Sequence, residues 1–477
     1  MSMSLTSRLV WAVTAAIGMT AWLTTPLAGG QESPAAEAAA RHAAVRSALR
    51  QMLGIPANRC PLRPEPRGQI EHDEVVIEKW VWTIEPGSRT PALIYRPKHP
   101  PEKMPAIVLT YGHGGSKSSW QYHYAGLLYA RLGLVCAAID PIGEEERNRQ
   151  GRMGTRAHDA RWASDRADAA GRLIMGKLVF DTMRTIDYLL TRNDIAFERI
   201  GVAGNSLGGA VASYVAAVEP RIRLAIVSGW AYDDITLDTK LCTRLPNERM
   251  RRLCDWPTFA ALAAPGCALW IANGDADVII DRRGDGQAWR GTRRAVREAS
   301  QVYAALGGAG KIKTWFEPGG GHRPYFAYKV SLEWIHEHLG APDWPLERIR
   351  DLPAVNAGQW CDRYGIQLER LYGTPLHWRG ATLPDLGIRP LSPRRLAVLH
   401  PDEIGRPEYT LEGWLDLIES HGTGHGTHAD DRSLRTAATG HGHPLHAQHV
   451  SRQSLVGDAS QAEVAVGFDP RRAPSGE

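Results

Sequence analysis

A serine on a tight glycine-flanked turn, followed along the chain by an aspartate and then a histidine, has the makings of nucleophilic acyl transfer. Three segments supply those types in that order: Gly204-Asn205-Ser206-Leu207-Gly208-Gly209, Gly274-Asp275-Ala276-Asp277 and Gly319-Gly320-Gly321-His322. A hydroxyl is a poor nucleophile until an imidazole takes its proton, and the imidazole needs a carboxylate to fix its tautomer. Ser206 is therefore expected as nucleophile, His322 as base and Asp277 as the orienting acid. Asp275 stays open as an alternative acid and Asp281 as a more remote one; Asp277 is favoured because it lies further along the loop from Gly274, towards the top of the sheet. A fourth segment, Gly112-His113-Gly114-Gly115, has the glycines that let a backbone approach a substrate carbonyl. An amide of His113 or Gly114 would join that of Leu207, at the positive end of a helix dipole, in holding an oxyanion. His113 is also an alternative base, on a strand that precedes the nucleophile.

Each of these segments follows a run that reads as a strand: AIVLTY (106–111), continuously apolar as in strands buried on both faces, RIGVA (199–203), ALWIA (268–272) and IKTWF (312–316). LVCAAI (134–139) and 223–227 add two more. Between them lie helical patterns at 123–132, 176–190, 207–217, 293–306 and 325–339. Such alternation predicts an α/β fold with a mostly parallel central sheet, helices on both faces and active residues at the carboxyl ends of the strands. Residues 75–83 and 91–95 read as an antiparallel hairpin, and the mixed charges of 161–172 as a solvated helix or mobile loop. Residues 230–264 are too long for a plain connection and are expected as a lid. Its Trp230, Tyr232 and Trp256 either contact the alcohol part of a substrate or pack the lid itself.

The chain has 477 residues, 43% apolar and 23% charged, which is globular composition. A net charge of +4 is too weak to argue for a nucleic-acid partner. Residues 1–30 read as an export signal: Arg8, then the apolar run Leu9 to Leu23, then small residues at Ala28, Gly29 and Gly30. Export to the periplasm or beyond follows, with no integral membrane association after cleavage. In that oxidising setting Cys242 and Cys254 are close enough to close a small loop, whereas Cys136 and Cys267 read as buried thiols. Residues 31–74 form a lead-in with an Ala-rich helix at 34–53, and 75–343 a catalytic domain. Residues 344–420 form a largely irregular appendage with one amphipathic helix at 411–419. The tail 421–477, poor in large apolar residues, is expected to be disordered. Its His421, His425, His428, His441, His443, His446 and His449 lack the cysteines and fixed spacing of a closed metal site, so neither metal nor cofactor is expected.

Over about Val75 to Leu339 these features resemble the α/β-hydrolase superfamily. Asp140-Pro141-Ile142-Gly143 with Glu146-Arg147, the run 181–189 and Gly204 to Gly209 are similar to the secreted acetyl xylan esterase and dienelactone-hydrolase-like group of bacterial esterases. The resemblance implies a Ser206/Asp277/His322 triad that hydrolyses carboxylic esters, with acyl groups on plant polysaccharide such as acetylated xylan as substrates. The chain departs from the best-known deacetylases in lacking an Arg-Gly-Gln signature near the oxyanion loop and in carrying Glu144 and Glu145. The alternative is a serine peptidase of the prolyl-oligopeptidase type. That class normally carries a large N-terminal β-propeller, for which about 45 residues between signal and first strands leave no room. A binding protein that merely keeps the fold would be expected to lack a triad member, and none is missing.

Overall fold

Runs of Val, Ile, Leu and Ala without a polar face are stable only when covered on both sides. The computed structural model, which describes residues 34–235, 245–366 and 380–422, covers them that way. The main sheet contains β1 (Glu65–His72), β2 (Val75–Glu85), β3 (Ser88–Pro97), β4 (Met104–Thr110), β5 (Val135–Ile139), β6 (Ile195–Asn205), β7 (Leu224–Ser228), β8 (Ala268–Gly274) and β9 (Ile312–Glu317). Their order across the sheet is β1-β2-β3-β5-β4-β6-β7-β8-β9. Pairs from β1 to β5 are antiparallel. Every pair from β5 through β4 to β9 is parallel. The carboxyl ends of β4, β6, β7, β8 and β9 therefore share one edge, the edge at which sheets of this kind bind ligands.

The covering helices are α1 (Pro34–Met52), α2 (Trp120–Arg131), α3 (Arg161–Ala169), α4 (Ile174–Leu189), α5 (Leu207–Val218), α6 (Asn247–Leu253), α7 (Trp256–Ala261), α8 (Gln287–Ala305) and α9 (Lys329–His338). In α8 the buried residues Ala288, Trp289, Thr292, Ala295, Val296, Ala299 and Tyr303 recur at helical spacing and form one inward stripe. α5 is buried along its whole length, and its Gly and Ala residues let it lie close to the sheet. In the lead-in, Leu49 of α1 and Leu53 just past its end are buried. Arg46 of α1 donates to the Ala217 carbonyl and Arg50 to that of Val218. Those are carbonyls left open at the end of α5, where a positive charge is favoured.

Two segments differ from expectation. β1 falls in the 31–74 lead-in, where Glu65, Pro66, Arg67 and Gly68 carry no apolar alternation; its strand form is imposed by pairing with β2. The chain after Pro345 has more structure than its composition suggests. It contains α10 (Leu346–Asp351), α11 (Ala357–Tyr364), α12 (Pro393–Leu396), α13 (Leu411–Gly422) and a small ribbon of β10 (Ala354–Asn356) with β11 (Thr382–Pro384). The expected helix at 411–419 is α13. A few anchors hold this stretch to the catalytic body. Trp360 packs on Trp120 and Tyr124, and the Trp414 indole donates to Glu85 at 3.2 Å. The amides of Val398 and Leu399 both donate to Glu146. The expected export signal 1–30, Cys242 of the suggested disulfide and the tail beyond residue 422 lie outside the described residues. Cys254 is a thiol 3.7 Å from the Met250 sulfur.

Candidate active site

At the carboxyl end of β6 the chain reverses into α5 through Ser206, whose φ of 61° and ψ of −124° are unusual for a non-glycine residue. Holding a side chain there costs on the order of 1–3 kcal/mol. The turn also needs glycines beside it. A Cβ on Gly204 would lie 2.1 Å from the Thr110 hydroxyl, and one on Gly208 2.3 Å from the Thr110 carbonyl. With β4 pressed this closely against the turn, the Ser206 side chain is lifted above the sheet. Its amide is tied to the Ser228 carbonyl at 3.0 Å.

The loops after β8 and β9 bring Asp277 and His322 together. His322 Nδ1 and Asp277 Oδ2 are 2.7 Å apart, and both residues are buried. The other Asp277 oxygen accepts the amides of Ile279 and Ile280, so the carboxylate is fixed from two sides. Asp275 is exposed and accepts the Gly319 amide, while the Ala276 amide donates to the Gly320 carbonyl; both bonds stitch the aspartate loop to the histidine loop. Asp281 holds the Gly286 amide at 2.6 Å. Of the three candidate acids, Asp277 is the one brought to the imidazole. The ring lies against the end of β7: a Cβ on Gly229 would be 2.8 Å from His322 Cε1. Nucleophile turn, β7 end and imidazole thus follow one another along the sheet edge.

Gly112 sits on the other side of the serine, where a Cβ would be 3.2 Å from Ser206 Cβ. The Gly112 amide is used up by the Tyr122 hydroxyl, and that of Gly115 by the Gly112 carbonyl. The amides of His113 and Gly114, with Leu207 at the start of α5, remain the candidates for an oxyanion. The His113 ring lies along the His158 ring, with its Nε2 3.1 Å from Asp159 Oδ2. Burial raises the Asp159 carboxyl, but the hydrogen bond and charge of His113 more than reverse this and leave it well below the usual carboxylate range.

Just beyond the loop, Lys117 is fully buried among three carboxylates, at 2.8 Å from Asp140, 3.1 Å from Glu145 and 2.7 Å from Glu146. Burial alone would lower its pKa; the carboxylates instead raise it well above the ordinary value, so it stays charged. Arg147 pairs with Asp181 at 2.5 Å. Burial pushes the neighbouring Glu144 up to about 7, although the amides of Thr155 and Arg156 donate to it. A buried charge is tolerated only when paired, so this cluster locks the 140–147 loop to the foot of the Gly112 loop. The segment 140–147 is conspicuous in the sequence, but its partner Lys117 carries no local signal.

Of the aromatics in residues 230–264, the three candidates for a substrate surface are buried. Trp230, Tyr232 and Trp256 are 2%, 1% and 4% exposed. Trp256 and Tyr232 meet edge to face and both pack on Phe259. The Trp256 indole donates to Asp234, and Asn273 brackets Trp230 by bonding both its amide and its carbonyl. These contacts favour the second of the two expectations, packing within the 230–264 segment; residues 236–244 lie outside the described part. The large apolar side chains left in water include Trp162 at 44%, on α3 three residues beyond Asp159, and Val278 at 65%, next to Asp277. Among the described residues no group of three or more His, Cys, Asp or Glu is arranged to hold a metal ion. No helix among them is long and apolar enough to cross a membrane.

A parallel sheet with an antiparallel edge, a strained serine between β6 and α5, and an acid and a histidine on the loops after later strands define an α/β-hydrolase. Residues 69–231 match the acetyl xylan esterase (AXE1) family, a segment that includes the Gly112 loop, the 140–147 loop and Ser206. YtaP of Bacillus subtilis, a protein assigned as a hydrolase, is 25% identical over 193 residues, 38% of this chain. The chain spans 62% of the length of that relative. Among solved structures, a protein of Bacteroides fragilis assigned as an acetyl xylan esterase is 16% identical, with a TM-score of 0.47 over 60% of this chain and 77% of its own. An acetyl xylan esterase from Paenibacillus sp. R4 is 18% identical, with a TM-score of 0.43 over 62% of this chain and 92% of its own.

Proposed function

We propose that the chain is an exported serine esterase that removes acyl groups from a carbohydrate such as acetylated xylan. The observation that carries this reading is the buried Asp277–His322 pair at 2.7 Å, set on the same sheet edge as the strained Ser206 turn. The family match over residues 69–231 supports the ester class, and the 1–30 segment supports export.

In this reading Ser206 Oγ attacks the ester carbonyl carbon while His322 Nε2 takes its proton. Asp277 holds Nδ1–H and stabilises the imidazolium that forms. The carbonyl oxygen becomes an oxyanion facing the amides of Leu207 and of His113 or Gly114. Collapse breaks the carbon–oxygen bond to the alcohol, which leaves with the proton from His322. Water, deprotonated by the same imidazole, then attacks the acyl-Ser206, and the acid departs as the serine regains its proton. Ser206→Ala keeps the turn and removes the attacking oxygen, so turnover of p-nitrophenyl acetate and acetyl release from acetylated xylan should fall by up to roughly 10⁶. A variant that keeps a tenth of wild-type turnover on both would reject the nucleophile and with it the reading.

A further inference from the structure

An oxyanion hole lowers a barrier only when its donors are held in place before the reaction. The His113 and Gly114 amides sit on a glycine-rich turn beyond the end of β4, outside the strand ladder. Two bonds hold that turn at its ends. The Gly115 amide donates to the Gly112 carbonyl at 2.9 Å, and the Gly112 amide donates to the Tyr122 hydroxyl at 2.6 Å. Tyr122 belongs to α2 and is fully buried. A Cβ on Gly112 would stand 3.2 Å from Ser206 Cβ and 3.6 Å from the Tyr122 hydroxyl, so Gly112 lies between that hydroxyl and the nucleophile. A Cβ on Gly115 would be 2.8 Å from the Tyr122 ring, which makes the ring the floor on which the turn rests. The same ring stacks on Phe326 with centroids 5.5 Å apart and planes 13° apart, and it meets Tyr111 edge on at 4.4 Å. Phe326 is four residues beyond His322, and Tyr129, two turns further along α2, donates to its carbonyl at 2.7 Å.

On the esterase reading above, we propose that Tyr122 is a positioning residue for the reaction: its hydroxyl fixes the Gly112 peptide, and so the direction of the following amides, while its ring keeps that turn in register with the His322 loop. The hydroxyl acts as a neutral acceptor, because burial raises its pKa well above the ordinary value for tyrosine. The three parts that must meet at the substrate come from different strands: the oxyanion amides and Ser206 follow the neighbouring strands β4 and β6, and His322 follows β9, with β7 and β8 between. One helix side chain touches the supports of two of them and stands behind the third.

Tyr122→Phe tests this, since it keeps the stack on Phe326 and removes one oxygen. Tyr124→Phe serves as the control: Tyr124, on the same helix, donates to the Pro384 carbonyl and touches nothing in the Gly112 turn. With p-nitrophenyl acetate, Tyr122→Phe should lower kcat about tenfold and leave KM within about twofold, a fraction of the 10²–10³ lost when an oxyanion donor is removed outright. Binding of an aryl boronic acid, which forms a tetrahedral adduct on an active serine, should weaken by the same factor. Tyr124→Phe should lower the melting temperature comparably while keeping kcat. A kcat within twofold of wild type in Tyr122→Phe, a loss carried by KM, or an equal kcat loss in Tyr124→Phe would overturn the assignment. Retained turnover in Ser206→Ala would instead overturn the esterase reading itself, so the two failures are distinct.

Discussion

Replacing Asp277 by Asn should cost about 10⁴ in kcat, and the reason lies in how the carboxylate is already used. Asp277 Oδ1 accepts the amides of Ile279 and Ile280, and Oδ2 faces His322 Nδ1 at 2.7 Å. An asparagine of the same shape must leave its carbonyl oxygen on those amides, because its NH₂ cannot accept a hydrogen bond. The NH₂ then faces Nδ1 and can only donate, so Nδ1 must carry the lone pair and the ring proton moves to Nε2. Nε2 is the nitrogen that has to take the Ser206 proton. The base is blocked while the loop is unchanged, and a loss of roughly 10⁴, or about 5.5 kcal/mol of barrier, is the expected scale. Asp275→Asn should stay within a few-fold, since the exposed side chain can still accept the Gly319 amide through its remaining carbonyl. Initial rates on p-nitrophenyl acetate at neutral pH, with melting curves to confirm folding, check both. A loss under tenfold at position 277, or a larger loss at 275, would refute the tautomer argument.

Acid should loosen the C-terminal stretch through His123, whose Nε2 accepts the Leu391 amide at 2.9 Å and whose pKa is lowered to about 3, first by burial and then by His72. The folded state must keep this ring neutral, so the stability it supplies is present above the unfolded pKa near 6.5 and drains away as pH falls from there towards 3; between pH 7 and 5 the loss is about 2 kcal/mol. His123→Gln, which cannot titrate, should be less stable than wild type at pH 7 with a gap smaller by that amount at pH 5 in urea titrations, and parallel pH profiles would refute the point. Trp256→Ala should remove about 3–5 kcal/mol of stability and lower turnover of all esters alike; a selective rise in KM for acetylated xylan at unchanged melting temperature would show that this indole meets substrate after all. Trp162→Ala, at an exposed indole, should leave the melting temperature within about 1 °C while raising KM for acetylated xylan and sparing p-nitrophenyl acetate, and equal kinetics on both would remove Trp162 from the substrate surface.

The parts of this site that could be read from sequence are those in which local chain geometry and chemistry coincide. Ser206 needs Gly204 and Gly208 because Thr110 approaches both, so the steric demand is written next to the residue it serves. Asp277 and His322 stand after the strand-like runs ALWIA and IKTWF, the first fully buried and the second a partly exposed edge strand, and the parallel order of those strands places both residues on one edge. The aromatics of residues 230–264 stayed open between two roles because a tryptophan looks the same in sequence whether it lines a cleft or fills a core. Burial is decided by what it packs against, here Phe259 and Asp234.

The stretch after Pro345 was obscure for a related reason. Its order rests on scattered contacts, such as Glu146 with the amides of Val398 and Leu399, that join residues about 250 positions apart and leave no periodic trace. The same holds for Tyr122. Its tyrosine in a helical run reads as a core residue, and it is one; what distinguishes it is a single oxygen at 2.6 Å from a glycine amide ten residues earlier. Periodicity reports which face of a helix is buried. Which buried atom carries an orientation to the reacting centre is a matter of one hydrogen bond, and sequence pattern is blind at that scale.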